Sequence, residues 1–100
     1  MSLEIKLCGK VRLYEGEKAS WHFVLLPKGL SQNLKVFFAG AEGGFGSLPV
    51  EVTVGQTTWR TSIFPESKKG AFLLPLKAAP RKKERIFAGD FVCFVLKILI

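Results

Sequence analysis

Residues 49–60 read PVEVTVGQTTWR, and this stretch decides the fold class. Its first half alternates apolar and polar side chains, a period of two that is typical of a strand with one buried face. The apolar positions of that face are Val50, Val52 and Val54. Gly55-Gln56 then indicates a tight turn into a second strand. The stretch therefore predicts a fold built mainly from strands.

The turn also fixes how these two strands pair. Glycine at the first central position suits a two-residue turn of type II′. That register places Val52 opposite Trp59 and Glu51 opposite Arg60. An aromatic beside a β-branched side chain, and two opposite charges, are both favourable cross-strand pairs, each by about 0.2–1 kcal/mol. Because this register gives a favourable side-chain pair on each face of the two strands, we predict an antiparallel hairpin here.

Further strands are predicted on both sides of the hairpin, over residues 3–13, 20–26, 72–76 and 91–100. Gly9 lies within the first of them and predicts a bend or bulge, which is how a strand turns a barrel corner. Pro75 predicts an edge position or a bulge for its own strand, because proline cannot donate a hydrogen bond to the ladder.

Two short helices complete the predicted elements. Leu30, Leu34 and Phe37 are spaced as the apolar face of a helix over residues 28–38. Pro80 suits the first position of a second helix over residues 81–85, because its fixed φ is helical. One hundred residues are enough for a single domain, so we predict a small mostly-β barrel with two short helices over residues 1–100.

The net charge of +7 suggests a polyanionic partner. Much of the excess lies in one segment, which we call the basic segment: Lys77, Arg81, Lys82, Lys83 and Arg85. These side chains are candidates for contacting the phosphates of a nucleic acid. The alternative is a solvated helix whose charge keeps the protein soluble, with Arg81 and Glu84 paired on one face.

Exposed aromatic rings would strengthen a nucleic-acid interpretation, because unpaired bases stack on them. Trp21 and Phe23 share one face of the predicted strand over residues 20–26. No lysine alternates with them along that strand. We therefore predict that both rings belong to the core.

The glycine-rich loop is the second candidate site, formed by Gly44, Phe45, Gly46 and Ser47. Backbone N–H groups in such loops can bind an anion or a small anionic ligand. The loop lacks the Gly-Lys-Ser/Thr ending of a phosphate-binding loop, and it leads into a strand instead of a helix. The alternative is a tight barrel connection in which Phe45 fills the core.

No catalytic or metal site is predicted. Cys8, Cys93 and the single histidine, His22, are too few for a zinc site of four ligands. Both cysteines are predicted to be free thiols, with a bridge between the first and last strands as the alternative if those strands pair. His22 has no nucleophile beside it, and Glu15 and Glu17 lie on a loop, so we predict a protein that is not an enzyme and has no cofactor.

The predicted location is the cytoplasm, without a membrane. The longest stretch that lacks Lys, Arg, Asp and Glu, residues 19–27, is too short to span a bilayer. The N-terminal residues lack the apolar segment of a signal peptide. The last strand, residues 91–100, is apolar on both faces and needs cover on both. A helix or a second copy of the chain would provide that cover, and of the two we predict a homodimer.

Five motifs span nearly the whole chain: WHFV at 21–24, GFGSLPVEVTV at 44–54, WRTSIFP at 59–65, LLPLKAA at 73–79 and GDFV at 89–92. Together they resemble an uncharacterised prokaryotic family known only as a domain of unknown function, whose members occur alone or joined to a YdeI/OmpD-associated domain. The resemblance implies a double-split β-barrel, the architecture of AbrB-like and MazE-like transcription factors. It implies no activity, because the family has no established one.

Two functions stay open at this point. The first is a non-catalytic module that binds nucleic acid, as a dimeric regulator by analogy with AbrB-like barrels, with the basic segment on the phosphates. The second has no nucleic-acid role and is either a self-associating or protein-binding module, or one that holds a small anionic ligand at Gly44–Ser47.

Overall fold

The computed structural model describes residues 2–40, 46–66 and 68–99. Its elements are β1 (Ser2–Lys10), β2 (Arg12–Glu15), β3 (Ser20–Leu25), α1 (Lys28–Phe37), β4 (Leu48–Val54), β5 (Thr57–Glu66), β6 (Ala71–Pro75), α2 (Ala78–Glu84) and β7 (Phe91–Leu99). Within the described residues the strands form one antiparallel sheet in the order β1-β7-β4-β5-β6-β3-β2. This curled half-barrel with two helices confirms the predicted fold class.

The two edges of the sheet are joined through one residue. β1 and β2 lie at opposite edges, and only Val11 separates them in the chain. Val11 is 1% exposed, and its N–H donates to Asp90 O (2.8 Å) while its carbonyl accepts from Gly89 N (2.8 Å). The predicted single strand over residues 3–13 is therefore two strands, and the barrel corner lies at Val11.

Gly9 serves a different purpose from the predicted bend. β1 pairs with β7 without interruption through Gly9 and Val92, so the structure has no bulge at this position. A Cβ at Gly9 would lie 2.5 Å from Val24 Cγ1 on β3. Glycine is needed because β1 passes close to β3 in the interior of the half-barrel.

The β4–β5 hairpin has the predicted register. Val52 faces Trp59, Glu51 faces Arg60, and Gly55 has the positive φ (+56°) of a type II′ turn. Arg60 Nε lies 3.7 Å from Glu51 Oε2, an exposed ion pair that adds little to stability.

The core is formed by the inward side chains of the strands. Those with no measurable exposure are Val24, Leu48, Val50, Val52, Ile63, Leu74, Leu96 and Ile98. Helix α1 packs on this core through Leu34, and buried Ser31 Oγ accepts a hydrogen bond from Phe72 N (2.9 Å). Phe37, predicted on the apolar face of this helix, is 72% exposed, and its neighbour Phe38 packs against the core instead.

Both proline predictions need correction. Helix α2 begins at Ala78, two residues before Pro80. Proline is tolerated there because the N–H groups of the first helical turn have no partner within the helix. Pro75 ends β6, which is an interior strand and not an edge. The ladder between β5 and β6 ends at Leu73, so Pro75 has no partner on β5. The N–H that proline lacks therefore costs no hydrogen bond there.

The prediction of free thiols was wrong. Cys8 on β1 lies directly opposite Cys93 on β7, and the two form a disulfide. Facing positions on neighbouring strands bring the two sulfur atoms within bonding reach. Both cysteines are on the outer face of the sheet and are exposed.

The outer face of β7 is only partly covered. Phe91 is 76% exposed, whereas Val95 and Leu99 are half-buried among the neighbouring strands. The predicted homodimer stays a prediction. Among the described residues, no helix is long and apolar enough to cross a membrane.

Candidate functional site

The basic segment lies on and around α2. Lys77 precedes the helix, Lys82 and Lys83 lie in its last turn, and Arg85 follows it in a left-handed conformation. These four side chains are exposed. The structure thus gathers four of the five residues predicted to contact phosphates on one exposed helix and its ends.

Arg81, the fifth of these residues, is half-buried and holds the helix against the sheet. Its Nε donates to Leu76 O (2.9 Å), and its guanidinium lies 3.5 Å from His22 Nε2. The predicted pairing of Arg81 with Glu84 is replaced by another contact in the described part of the chain. Glu84 Oε2 accepts a hydrogen bond from Thr57 Oγ1 on β5 (2.5 Å). The carboxylate of α2 is therefore directed toward the hairpin, away from the exposed lysines.

His22 lies beside Arg81 at the same end of the sheet. Partial burial, and secondarily the positive charge of Arg81, lower the pKa of His22 below its ordinary 6.5. The ring is therefore neutral at pH 7, and Arg81 is the side-chain partner that the structure gives it among the described residues. This arrangement positions α2 and pairs the ring with a cation instead of a nucleophile.

The lowered pKa of His22 predicts a loss of stability in mild acid. Because the pKa of His22 is lower in the folded protein, His22 binds a proton more tightly in the unfolded chain. The contribution of His22 to the free energy of unfolding is therefore complete above pH 6.5 and is lost as pH falls through the folded-state pKa. The urea midpoint should fall between about pH 7 and pH 5. In His22→Gln this fall should be smaller, and an identical fall in both proteins would contradict the assignment.

The outer face of the second half of the sheet carries exposed aromatic rings. Trp21 on β3 faces Tyr14 on β2, and their side chains are 52% and 59% exposed. Phe64 on β5 is also exposed, and Phe23 is half-buried beside them. We call these four residues the aromatic face. The prediction that Trp21 and Phe23 belong to the core was wrong, because Val24 is the inward-facing residue of β3 and the two rings are on the opposite face.

Trp21 lines three of the cavities in this surface, and two of them also have cations in their lining. One, of about 360 Å³, is lined by residues that include Ser20, Trp21, His22, Lys77 and Arg81. The other, of about 470 Å³, is lined by Tyr14, Trp21, Phe23, Glu66, Lys68 and Lys69. Cations thus line two depressions that share the indole ring as part of their wall. Sequence reasoning missed Lys68 and Lys69 as neighbours of Trp21, because only the curl of the sheet brings them together.

The glycine-rich loop lies partly outside the described residues, which do not include Gly44 and Phe45. Gly46 has a φ of +74°, and a Cβ there would lie 3.3 Å from Pro65 Cγ. Ser47 is buried at the start of β4. The described half of the loop is therefore a tight connection, and the anion site stays a prediction.

Metal ligands do not cluster in the described part of the chain, where no three His, Cys, Asp or Glu side chains could hold an ion together.

The motifs that suggested a family extend across this whole architecture. The sequence profile of a family described as "Domain of unknown function (DUF1905)" matches residues 9–96. The chain belongs to the DUF1905 family. The resemblance to an uncharacterised domain family is thus confirmed. A comparison with curated proteins found no sequence match. Both the basic segment and the aromatic face of this DUF1905 domain lie inside the matched residues.

Proposed function

We propose that this DUF1905 domain is a non-catalytic binding module that contacts nucleic acid through its basic segment. The main support for this proposal is the orientation of Glu84, whose carboxylate accepts a hydrogen bond from Thr57. Among the described residues, this leaves Lys82 and Lys83 with no carboxylate of α2 beside them on the exposed side of the helix. Phosphates can then replace the counterions of these lysines.

The attachment of α2 to the sheet supports the same proposal. Arg81, in the middle of the helix, bonds to Leu76 just after β6, and Glu84, its last residue, bonds to β5, so the helix is fixed to the sheet at two points. Lys77 and Arg85 extend the positive surface beyond each end. Fixed cations lose less conformational freedom on binding than cations on a mobile tail.

Reversing two charges on α2 tests the proposal. The Lys82→Glu/Lys83→Glu variant should bind a fluorescein-labelled oligonucleotide of random sequence, ~20 nucleotides long, about tenfold or more weakly than the unaltered protein at ~100 mM salt. Fluorescence anisotropy measures the affinity. The slope of log K against log salt should shrink by about one for each phosphate that the variant no longer neutralises. Binding should fall for all sequences alike, because phosphate contacts carry no sequence information.

The matched control is Lys28→Glu/Lys35→Glu on α1, where both lysines are also exposed. This variant has the same net charge as the test variant but leaves the basic segment intact, and it should retain most of the affinity. Equal weakening in both variants, or no binding by the unaltered protein at ~50 mM salt, would refute the proposal.

Self-association is the second candidate function. The observation that favours it is the outer face of β7, where Phe91 is largely exposed next to half-buried Val95. A second copy would cover this face and form the predicted homodimer. Sedimentation equilibrium should then show a dimer that Phe91→Glu dissociates, whereas a monomer at ~100 µM would exclude this candidate.

A further inference from the structure

We infer that the nucleic acid is single-stranded and that the aromatic face binds its unpaired bases, with Trp21 as the central stacking residue. The inference rests on the proposed function and adds a second surface to it. It starts from the exposed indole of Trp21 and the exposed ring of Tyr14, which face each other on β3 and β2.

The two cation-lined cavities that share Trp21 provide space for bases. Each is open to solvent beside the indole, and the larger is also lined by Tyr14 and Phe23. Base–aromatic stacking needs a free π-face and tolerates any base. Two aromatic rings projecting from neighbouring strands into open depressions meet that requirement.

The charges around the aromatic face match a sugar–phosphate backbone. Lys77 and Arg81 line one cavity, and Lys68 and Lys69 line the other. The single carboxylate among these lining residues is Glu66, and its Oε1 accepts a hydrogen bond from the backbone N–H of Lys68 (3.1 Å). A strand bound across Trp21 therefore meets cations in both cavities.

The same geometry disfavours a duplex. Paired bases cannot stack on a side chain that stands outside the double helix. Helix α2 has seven residues, about 10 Å, and is bonded along one side to β5 through Glu84, so it is poorly placed to enter a major groove. A protein partner would match the apolar rings but would need its own acidic rim for the four cations. A single strand supplies flat rings and negative charge together.

The test compares dT20, rU20 and a 20-bp duplex, each labelled with fluorescein, by fluorescence anisotropy at two salt concentrations. At least one single strand should bind about tenfold more tightly than the duplex. Trp21→Ala should weaken single-strand binding about tenfold without changing the salt slope, because stacking releases no counterions. Trp21→Phe should restore most of the affinity.

The control and a direct readout separate stacking from damage to the fold. Phe37→Ala removes another exposed aromatic ring, on helix α1 and outside this face, and should not change affinity. Single strands should quench the tryptophan fluorescence of the unaltered protein but not of Trp21→Phe, in which Trp59 is the remaining indole.

The outcomes distinguish this inference from the proposed function. If the duplex binds as tightly as both single strands and Trp21→Ala has no effect, the inference is wrong while the proposed function stands. If none of the three probes binds, both fail. Tighter binding of either single strand, with weakening in Trp21→Ala and rescue in Trp21→Phe, supports the inference for DNA or for RNA according to the strand preferred.

Discussion

Reduction of the Cys8–Cys93 disulfide should lower the free energy of unfolding by about 4 kcal/mol. The bond joins residues 85 apart in sequence, so it closes a loop that contains most of the chain. In the chain-entropy account, removing such a cross-link frees the unfolded state and leaves the native contacts unchanged. A reductant can reach the bond because both cysteines are exposed.

Urea denaturation with and without a phosphine reductant measures this effect. The reduced protein should unfold at a clearly lower urea concentration, and Cys8→Ser/Cys93→Ser should behave like the reduced protein and ignore the reductant. The oxidised protein should also lack titratable thiols under denaturing conditions. A midpoint that does not move on reduction would show that the cross-link contributes nothing.

Leu74→Ala should lower the free energy of unfolding by about 2–5 kcal/mol. Leu74 is on the inner face of β6 opposite Val24, and neither side chain is exposed. The substitution removes buried apolar surface and leaves a cavity that a close-packed interior fills only in part.

Leu73→Ala is the matched control, because Leu73 is the same residue type one position earlier on the same strand. It points to the outer face and is only half-buried, so we expect a decrease of about 1 kcal/mol. Denaturant midpoints of the two variants measure the difference directly. Equal decreases would contradict the assignment of inner and outer faces in β6.

Local chemistry made the hairpin predictable from the sequence. Gly55 and the alternation on each side of it set the register of Val52 and Trp59 without any information from the rest of the chain. The order of the other strands has no such local signal. β7 lies between β1 and β4, and both pairings join segments that are far apart in sequence.

The same difference explains the two main corrections. The thiol prediction was argued from the usual redox state of a compartment, whereas the pairing of Cys8 with Cys93 depends on strand register. Trp21 was assigned to the core because no lysine alternates with it along β3, whereas the cations near it in the structure come from other segments of the chain. The lysines of α2, in contrast, were evident as a run of charges, although the orientation of Glu84 was not.

The fold can be completed only late in synthesis. The single-residue corner at Val11 joins two edge strands at the start of the chain, and one of them, β1, pairs with the last strand. The first fifteen residues supply both edge strands, β1 and β2, and the partner of β1 is β7 at residues 91–99. At about 5–20 residues per second, a ribosome needs several seconds to make the intervening chain. Throughout that time the nascent β1 lacks the strand with which it pairs in the finished sheet, and Cys8 cannot meet Cys93. Cross-linking of the two thiols is therefore a marker of a finished molecule.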